Sequence, residues 1–391
     1  MNVVVVSPRY PRRGGKGDEH RTFLFIRHLA QEHSLTVVTC EGPGNSADAN
    51  RLESMTAVHV ASKSKFWRAG SALWATVRGY PAQVGWMAPA PFRRCARAAA
   101  GRADLVFVVT ARGAAMPYNR PTVIDHVDAL SLNMARRAEG SEPLPIRMFA
   151  RLEARRMRAH EARVARWASA QVVSSAEDAR YLPQAPRMTV VPNGWDGKDA
   201  FEDPPGHHRD IDVIFTGNMR YPPNRRAAEW VDAELFPRLR RRLPKAGVWV
   251  VGRSAASLRL RHVRVESDVE DLYSFLRRAR IAVVPLNGGT GSPIKVLEAA
   301  ANGAALVSRA WALAPYDMPG LVADGAEEFV DAVATLLADE GRRRALVTQS
   351  AASVRSHSSA QVANRLTTIL RDVNSRDRAR RGPVVRSGCD P

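Results

Sequence analysis

Short apolar, β-branched runs alternate along the chain with longer stretches whose apolar positions return every three or four residues. The runs read as strands and the stretches as helices covering them, the pattern of parallel sheets. In the first half, strands are predicted over Val3–Ser7, Leu35–Thr39, Ala57–Ala61, Leu105–Val109, Thr122–His126, Gln171–Ser174 and Thr189–Val191. Several are apolar without a break, as strands buried on both faces should be. A second series is predicted over Asp212–Thr216, Val248–Val251, Ile281–Pro285 and Ala305–Ser308. Between the series, Asn193–Arg209 is rich in Gly, Pro and Asp, lacks apolar periodicity and reads as a linker. The expectation is therefore an α/β protein of two Rossmann-like domains, 1–195 and 205–355, facing each other across a cleft. A closing helix is predicted over Ser358–Val373, with Val362, Leu366, Ile369 and Leu370 on one face, and residues 374–391 read as a disordered basic tail.

The 391 residues suit two domains. Lys and Arg outnumber Asp and Glu by 58 to 39, a formal charge of +19 that favours anionic partners without choosing among them. No recognition motif or aromatic platform supports a specific nucleic-acid site. Cys40, Cys95 and Cys389 are few and far apart, which argues against a disulfide framework or a clustered metal site. The N-terminus has no basic leader, and no run approaches the roughly 20 apolar residues of a membrane span. The expected location is cytoplasmic. Arg147–Trp167 is a basic helical pattern with two readings: an amphipathic helix on the anionic inner face of a membrane, or a helix packed on the first domain. Glu153 and Glu161, taken as interruptions of its basic face, favour the second.

Four segments carry candidate chemistry. After the first strand, PRRGGKGDEHR places Gly14, Gly15, Gly17, Asp18 and Arg21 before a helix expected from near Thr22. This is either a loop over donor phosphates or acceptor, or a plain surface turn. The strand TVI ends in Asp125, His126 and Asp128, at the strand edge where α/β sites form. These residues suit sugar hydroxyls or a developing oxocarbenium charge, unless Asp128 only caps a helix. PLNGGTGSPIKVLEAAANG sets Gly289, Thr290, Gly291, Ser292 and Pro293 before a helix bearing Lys295 and Glu298. Glycines before free helical N–H groups form an anion site suited to a diphosphate, and Glu298, one turn beyond Lys295, suits a ribose diol. FTGNMRYPPN places Gly217, Asn218 and Arg220 at a strand–helix turn, and Gly252 and Arg253 form the matching turn of the next strand.

In this order the segments resemble the retaining glycosyl transferases of group 1, of GT-B fold, and especially sugar transferases of exopolysaccharide clusters. GDEHR at 17–21, IDHVD, SSAEDARYL with VVPNG, FTGNMRYPPN and KVLEAAANG carry the likeness over roughly residues 1–350. The resemblance implies a nucleotide-sugar donor, UDP- or GDP-linked, bound by the second domain, with Glu298 on the ribose and the 289–293 loop and Lys295 facing the diphosphate. It implies an acceptor hydroxyl bound by the first domain, Asp125 or His126 over the transferred sugar, and the closing helix returned to the first domain. Transfer would retain anomeric configuration by front-face attack, with no cofactor and no metal. Two departures stand out: Thr290 occupies the position of a second donor-binding Glu, and Glu19 replaces a Lys. The competing readings are a catalytically degenerate partner subunit of the same fold and a nucleotide-sugar epimerase.

Overall fold

The computed structural model describes residues 1–61, 64–140, 142–183, 188–197 and 208–381. Contacts divide the chain into unit 1, Met1–Val191 with Ala360–Pro391, and unit 2, Pro192–Ser359.

Unit 1 is built on a seven-stranded parallel sheet: β1 (Asn2–Ser7), β2 (Ser34–Thr39), β3 (Ala57–Val60), β4 (Leu105–Val109), β5 (Thr122–Asp125), β6 (Ala170–Val173) and β7 (Met188–Val190). Their order is β3-β2-β1-β4-β5-β6-β7. The central strands are buried on both faces, which is why they read as unbroken apolar runs. One face packs against the helices Gly17–Leu29 and Ser359–Arg381, through residues such as Phe25, Leu29, Leu366 and Leu370. The other packs against the helix Ala90–Ala100, through Phe92 and Ala96. The first helix begins at Gly17, five residues before the expected start, where the Glu19 carboxylate accepts the Lys16 N–H.

The closing helix runs to Arg381 rather than stopping at Val373. Val373 and Asn374 are buried, and Arg378 reaches Asp104 at 3.4 Å, so part of the expected tail is ordered helix. Residues 382–391, including Arg386 and Cys389, lie outside the described residues.

Unit 2 holds a six-stranded parallel sheet: β8 (Ile211–Thr216), β9 (Val248–Gly252), β10 (Arg264–Ser267), β11 (Ala279–Val284), β12 (Ala305–Ser308) and β13 (Leu321–Val322), in the order β10-β9-β8-β11-β12-β13. Of the expected linker, 198–207 lie outside the described residues, but Asn193–Trp195 are docked rather than loose. The Trp195 N–H donates to the His357 carbonyl and the Ser359 N–H to the Trp195 carbonyl, both at 2.7 Å, so the segments entering and leaving unit 2 run side by side. Among the described residues no helix is long and apolar enough to cross a membrane.

Candidate active site

In doubly wound sheets, ligands gather at the carboxyl ends of the strands where the strand order reverses. Unit 2 reverses between β8 and β11. The chain turns after β8 at Gly217 and after β9 at Gly252. Gly252 has φ 148°, and a Cβ on it would lie 2.0 Å from the Gly217 carbonyl oxygen. Glycine is what lets the two turns meet. Arg220 and Arg253 stand exposed on these turns. Arg220 Nε donates to Ser254 Oγ at 2.9 Å, and the Ser254 N–H donates to the Asp268 carboxylate at 3.2 Å. The Asn218 carbonyl accepts from Asn224 Nδ2 at 3.0 Å.

After β11, Gly288 and Gly291 take φ of 77° and 79°, a left-handed conformation that glycine adopts readily. Gly289 lies so close to the Trp311 ring that a Cβ would be 2.2 Å from it. Ser292 is buried: its Oγ accepts from the Asn193 N–H at 2.9 Å, and its carbonyl accepts from Asn193 Nδ2 at 2.7 Å and the Tyr316 hydroxyl at 3.0 Å. Pro293 is the N-cap of the helix Ile294–Ala301, with no side chain capping its first turn. Lys295 and Glu298 lie one turn apart on this helix. Lys295 Nζ donates to the Thr216 carbonyl at 2.9 Å and Asn224 Oδ1 at 2.8 Å, and lies 4.5 Å from the Phe215 ring centroid. Burial pushes its pKa down to about 7, opposed by the Glu298 charge. Burial pushes Glu298 up, opposed by Lys295.

Unit 1 reverses between β1 and β4. Arg9, after β1, pairs with Asp18 at 2.7 Å. After β4, Thr110 takes φ 61°, and after β5, Val127 takes φ 65°; both are β-branched residues in a region they seldom occupy. These strained turns present Arg112 and Asp128. Arg112 Nε donates to Gln83 Oε1 at 2.9 Å. Burial disfavours its charge, and Asp128 is the first of the acids that restore it.

Residues 210–339, about a third of the chain, match the sequence family described as Glycosyl transferases group 1. No curated protein sequence matches the chain. Among solved structures, Anabaena HepE in complex with UDP and glucose superposes with a TM-score of 0.66 at 14% identity, covering 95% of this chain and 100% of that one. WaaG, a glycosyltransferase involved in lipopolysaccharide biosynthesis, gives 0.63 at 15% identity over 95% and 99%. The lipopolysaccharide outer core galactosyltransferase WaaB gives 0.59 at 10% over the same shares. The fold is GT-B.

Within this GT-B chain the expected site residues divide. Gly217, Asn218, Arg220 and Arg253 lie on the turns after β8 and β9, Gly289, Thr290 and Gly291 on the loop after β11, and Lys295 and Glu298 on the helix that follows, from which Lys295 reaches back to Thr216 and Asn224. Ser292 instead has its hydroxyl engaged by Asn193, a structural role that the spacing did not reveal. In unit 1, Arg21 pairs with Asp125 at 2.8 Å, the two side chains 2% and 1% exposed, and also donates to the Val191 carbonyl at 2.7 Å. Both groups are thus spent on fastening the first helix to β5. His126 is fully buried, its Nε2 at 2.6 Å from Gln171 Oε1, and burial pushes its pKa down. The glycine loop curls onto its own helix: Glu19 accepts from Arg12 Nε at 2.6 Å and the Lys16 N–H at 3.2 Å, and a Gly15 Cβ would lie 2.4 Å from that carboxylate. Gly14 donates its N–H to His20 Nδ1 at 3.2 Å.

The N–H groups at the start of the helix Leu130–Glu139 are met from distant segments. The Ala129 N–H goes to Asp178 at 3.0 Å and the Ser131 N–H to Glu161 at 3.2 Å. Glu161 and Glu153 therefore face the interior of unit 1, and the outer face of the helix Leu144–Trp167 carries arginines together with Leu144, Met148 and Phe149. Arg112, which was not among the expected site residues, lies at the corresponding place after β4. Its signal was present, since it follows the unbroken strand LVFVV by the same rule that drew attention to Asp125. Among the described residues no group of three His, Cys, Asp or Glu has metal-ligating geometry.

Proposed function

We propose that the chain transfers a sugar from a nucleotide-sugar donor to an acceptor hydroxyl, binding the donor in unit 2 and the acceptor in unit 1. The observation that carries the reading is Lys295. It is held at the β8–β11 switch point with a pKa near 7, one turn from Glu298, its Nζ reaching back to the Thr216 carbonyl and Asn224 Oδ1 beside the glycine turn after β8. A diphosphate placed there restores the lysine charge and meets the first turn of its helix, with Arg220 and Arg253 on the adjoining turns. Glu298 takes the ribose hydroxyls. The group 1 match over 210–339, and the UDP in the HepE structures, support a uridine or similar diphosphate donor. In unit 1, Asp128 and Arg112 take the acceptor, while Asp125 and His126 position β5. Transfer proceeds with retention: the sugar–phosphate bond of the donor breaks, the acceptor oxygen forms the new glycosidic bond, and the departing phosphate receives the acceptor proton.

The test is a thermal-shift screen against UDP, GDP, dTDP and their sugar conjugates, with Glu298→Ala as control. A ligand at 100 times its Kd adds about 2.7 kcal/mol. A shift with one nucleotide that disappears in the variant fits the proposal. Absence of any shift fits the second reading, a GT-B partner subunit that does not turn over sugar, for which Thr290 in place of an acid is the motivating observation.

A further inference from the structure

From Ser54 to Ala103 the chain has no Asp or Glu, while it has eight Lys and Arg and three of the protein's eight Trp. The structure gathers much of this stretch onto one surface of unit 1. The helix Lys65–Val77 buries only Ala75. Its small residues face inward: it lies on the helix Ala82–Met87 so closely that a Cβ on Gly85 would be 2.3 Å from the Ser71 carbonyl. Its large apolar residues face outward, with Phe66 91%, Val77 78% and Leu73 68% exposed. Trp67 and Trp74 join them at 55% and 48% and line a groove of about 510 Å³ with Gly70 and Arg93. The stripe is thus amphipathic with the usual sense reversed. Arginines stand over the rings: Arg78 and Arg93 lie 5.2 and 5.6 Å from the Trp74 ring centroid, and Arg68 lies 5.0 Å from that of Trp86.

The start of the helix Leu144–Trp167 extends the same chemistry. Leu144, Met148 and Phe149 are more than half exposed and are followed by Arg151 and Arg155. Glu153 of that helix accepts the Ala82 N–H at 2.6 Å, so both helices flank the same short helix.

We propose that this surface docks on an anionic lipid bilayer, with Phe66, Trp67 and Trp74 at headgroup depth and the arginines on lipid phosphates. Charge decides the occupant. A second copy of the chain would set one predominantly basic surface against another, since Glu41, the acid at its border, is already paired with Arg68. A bilayer takes up apolar side chains and cations together, and tryptophan favours its interface. The inference is independent of sugar transfer.

Flotation of the full chain with vesicles tests it. The protein should rise with phosphatidylcholine–phosphatidylglycerol vesicles at low salt, stay in solution with phosphatidylcholine alone, and be released by salt. Phe66→Ser/Trp67→Ser/Trp74→Ser, at exposed positions, should abolish flotation without moving the unfolding midpoint. Arg78→Gln/Arg93→Gln should weaken partitioning roughly fivefold per arginine. Wild-type protein that stays in solution with both vesicles overturns the proposal, as does a serine variant that floats undiminished. So does a wild-type dimer in sedimentation that the serine variant dissolves without any flotation, which would assign the surface to self-association.

Discussion

Lys295 is held where its charge is poorly solvated and is therefore sensitive to what binds beside it. With its pKa near 7, part of the population is neutral in the free protein at neutral pH, and a bound diphosphate raises the pKa again. Binding then takes up a proton above about pH 7. UDP affinity is expected to fall between pH 7 and 9, by up to about tenfold per pH unit, as calorimetric titration would show. Lys295→Met should bind more weakly at pH 7 and show no such slope. Glu161 makes a second prediction. Burial raises its pKa from 4.5 to about 7, so the folded state holds the proton more tightly than the unfolded chain. The stabilisation is complete below pH 4.5 and is lost as pH rises to 7, about 3 kcal/mol in all. Urea unfolding at pH 5 and pH 8 should show Glu161→Gln losing that part of the dependence and exceeding the wild type in stability at pH 8.

Between elements, the buried Arg21–Asp125 pair binds the first helix to β5 across 104 residues of sequence. Removing one partner strands the other charge, so Asp125→Ala is expected to cost about 3–5 kcal/mol in chemical unfolding, whereas a surface pair such as Arg344–Glu340 is worth under about 1. This pairing also marks where sequence reading stops. Strands buried on both faces, such as β1 and β4, are legible because burial demands unbroken apolar residues. β10, RVES at the sheet edge, and β13, two residues long, lack that demand and were missed. Lys295 and Glu298 were legible because helical spacing is local. The partners of Arg21, Asp125 and Ser292 come from distant segments, and nothing in local spacing says whether a polar residue at a strand end meets a ligand or another side chain.

Each unit has a core of its own, and the residues assigned to the donor lie in unit 2 alone. Calorimetry is therefore expected to resolve more than one transition, with UDP raising the one that belongs to unit 2. The charge of +19 is also unevenly placed, since fifty consecutive residues of unit 1 carry no acid at all.

Unit 1 is discontinuous: Val362, Ala363, Leu366, Leu370 and Val373 complete a core whose other buried members lie before residue 192. During synthesis, unit 2 becomes available as one uninterrupted stretch, whereas unit 1 must wait for the helix Ser359–Arg381. At about 5–20 residues per second, that delay is roughly 10–40 s. For that interval the apolar face of the sheet shared by β1 and β4 has the helix Gly17–Leu29 but lacks the rest of its cover. The first strands to leave the ribosome are thus among the last to be sealed.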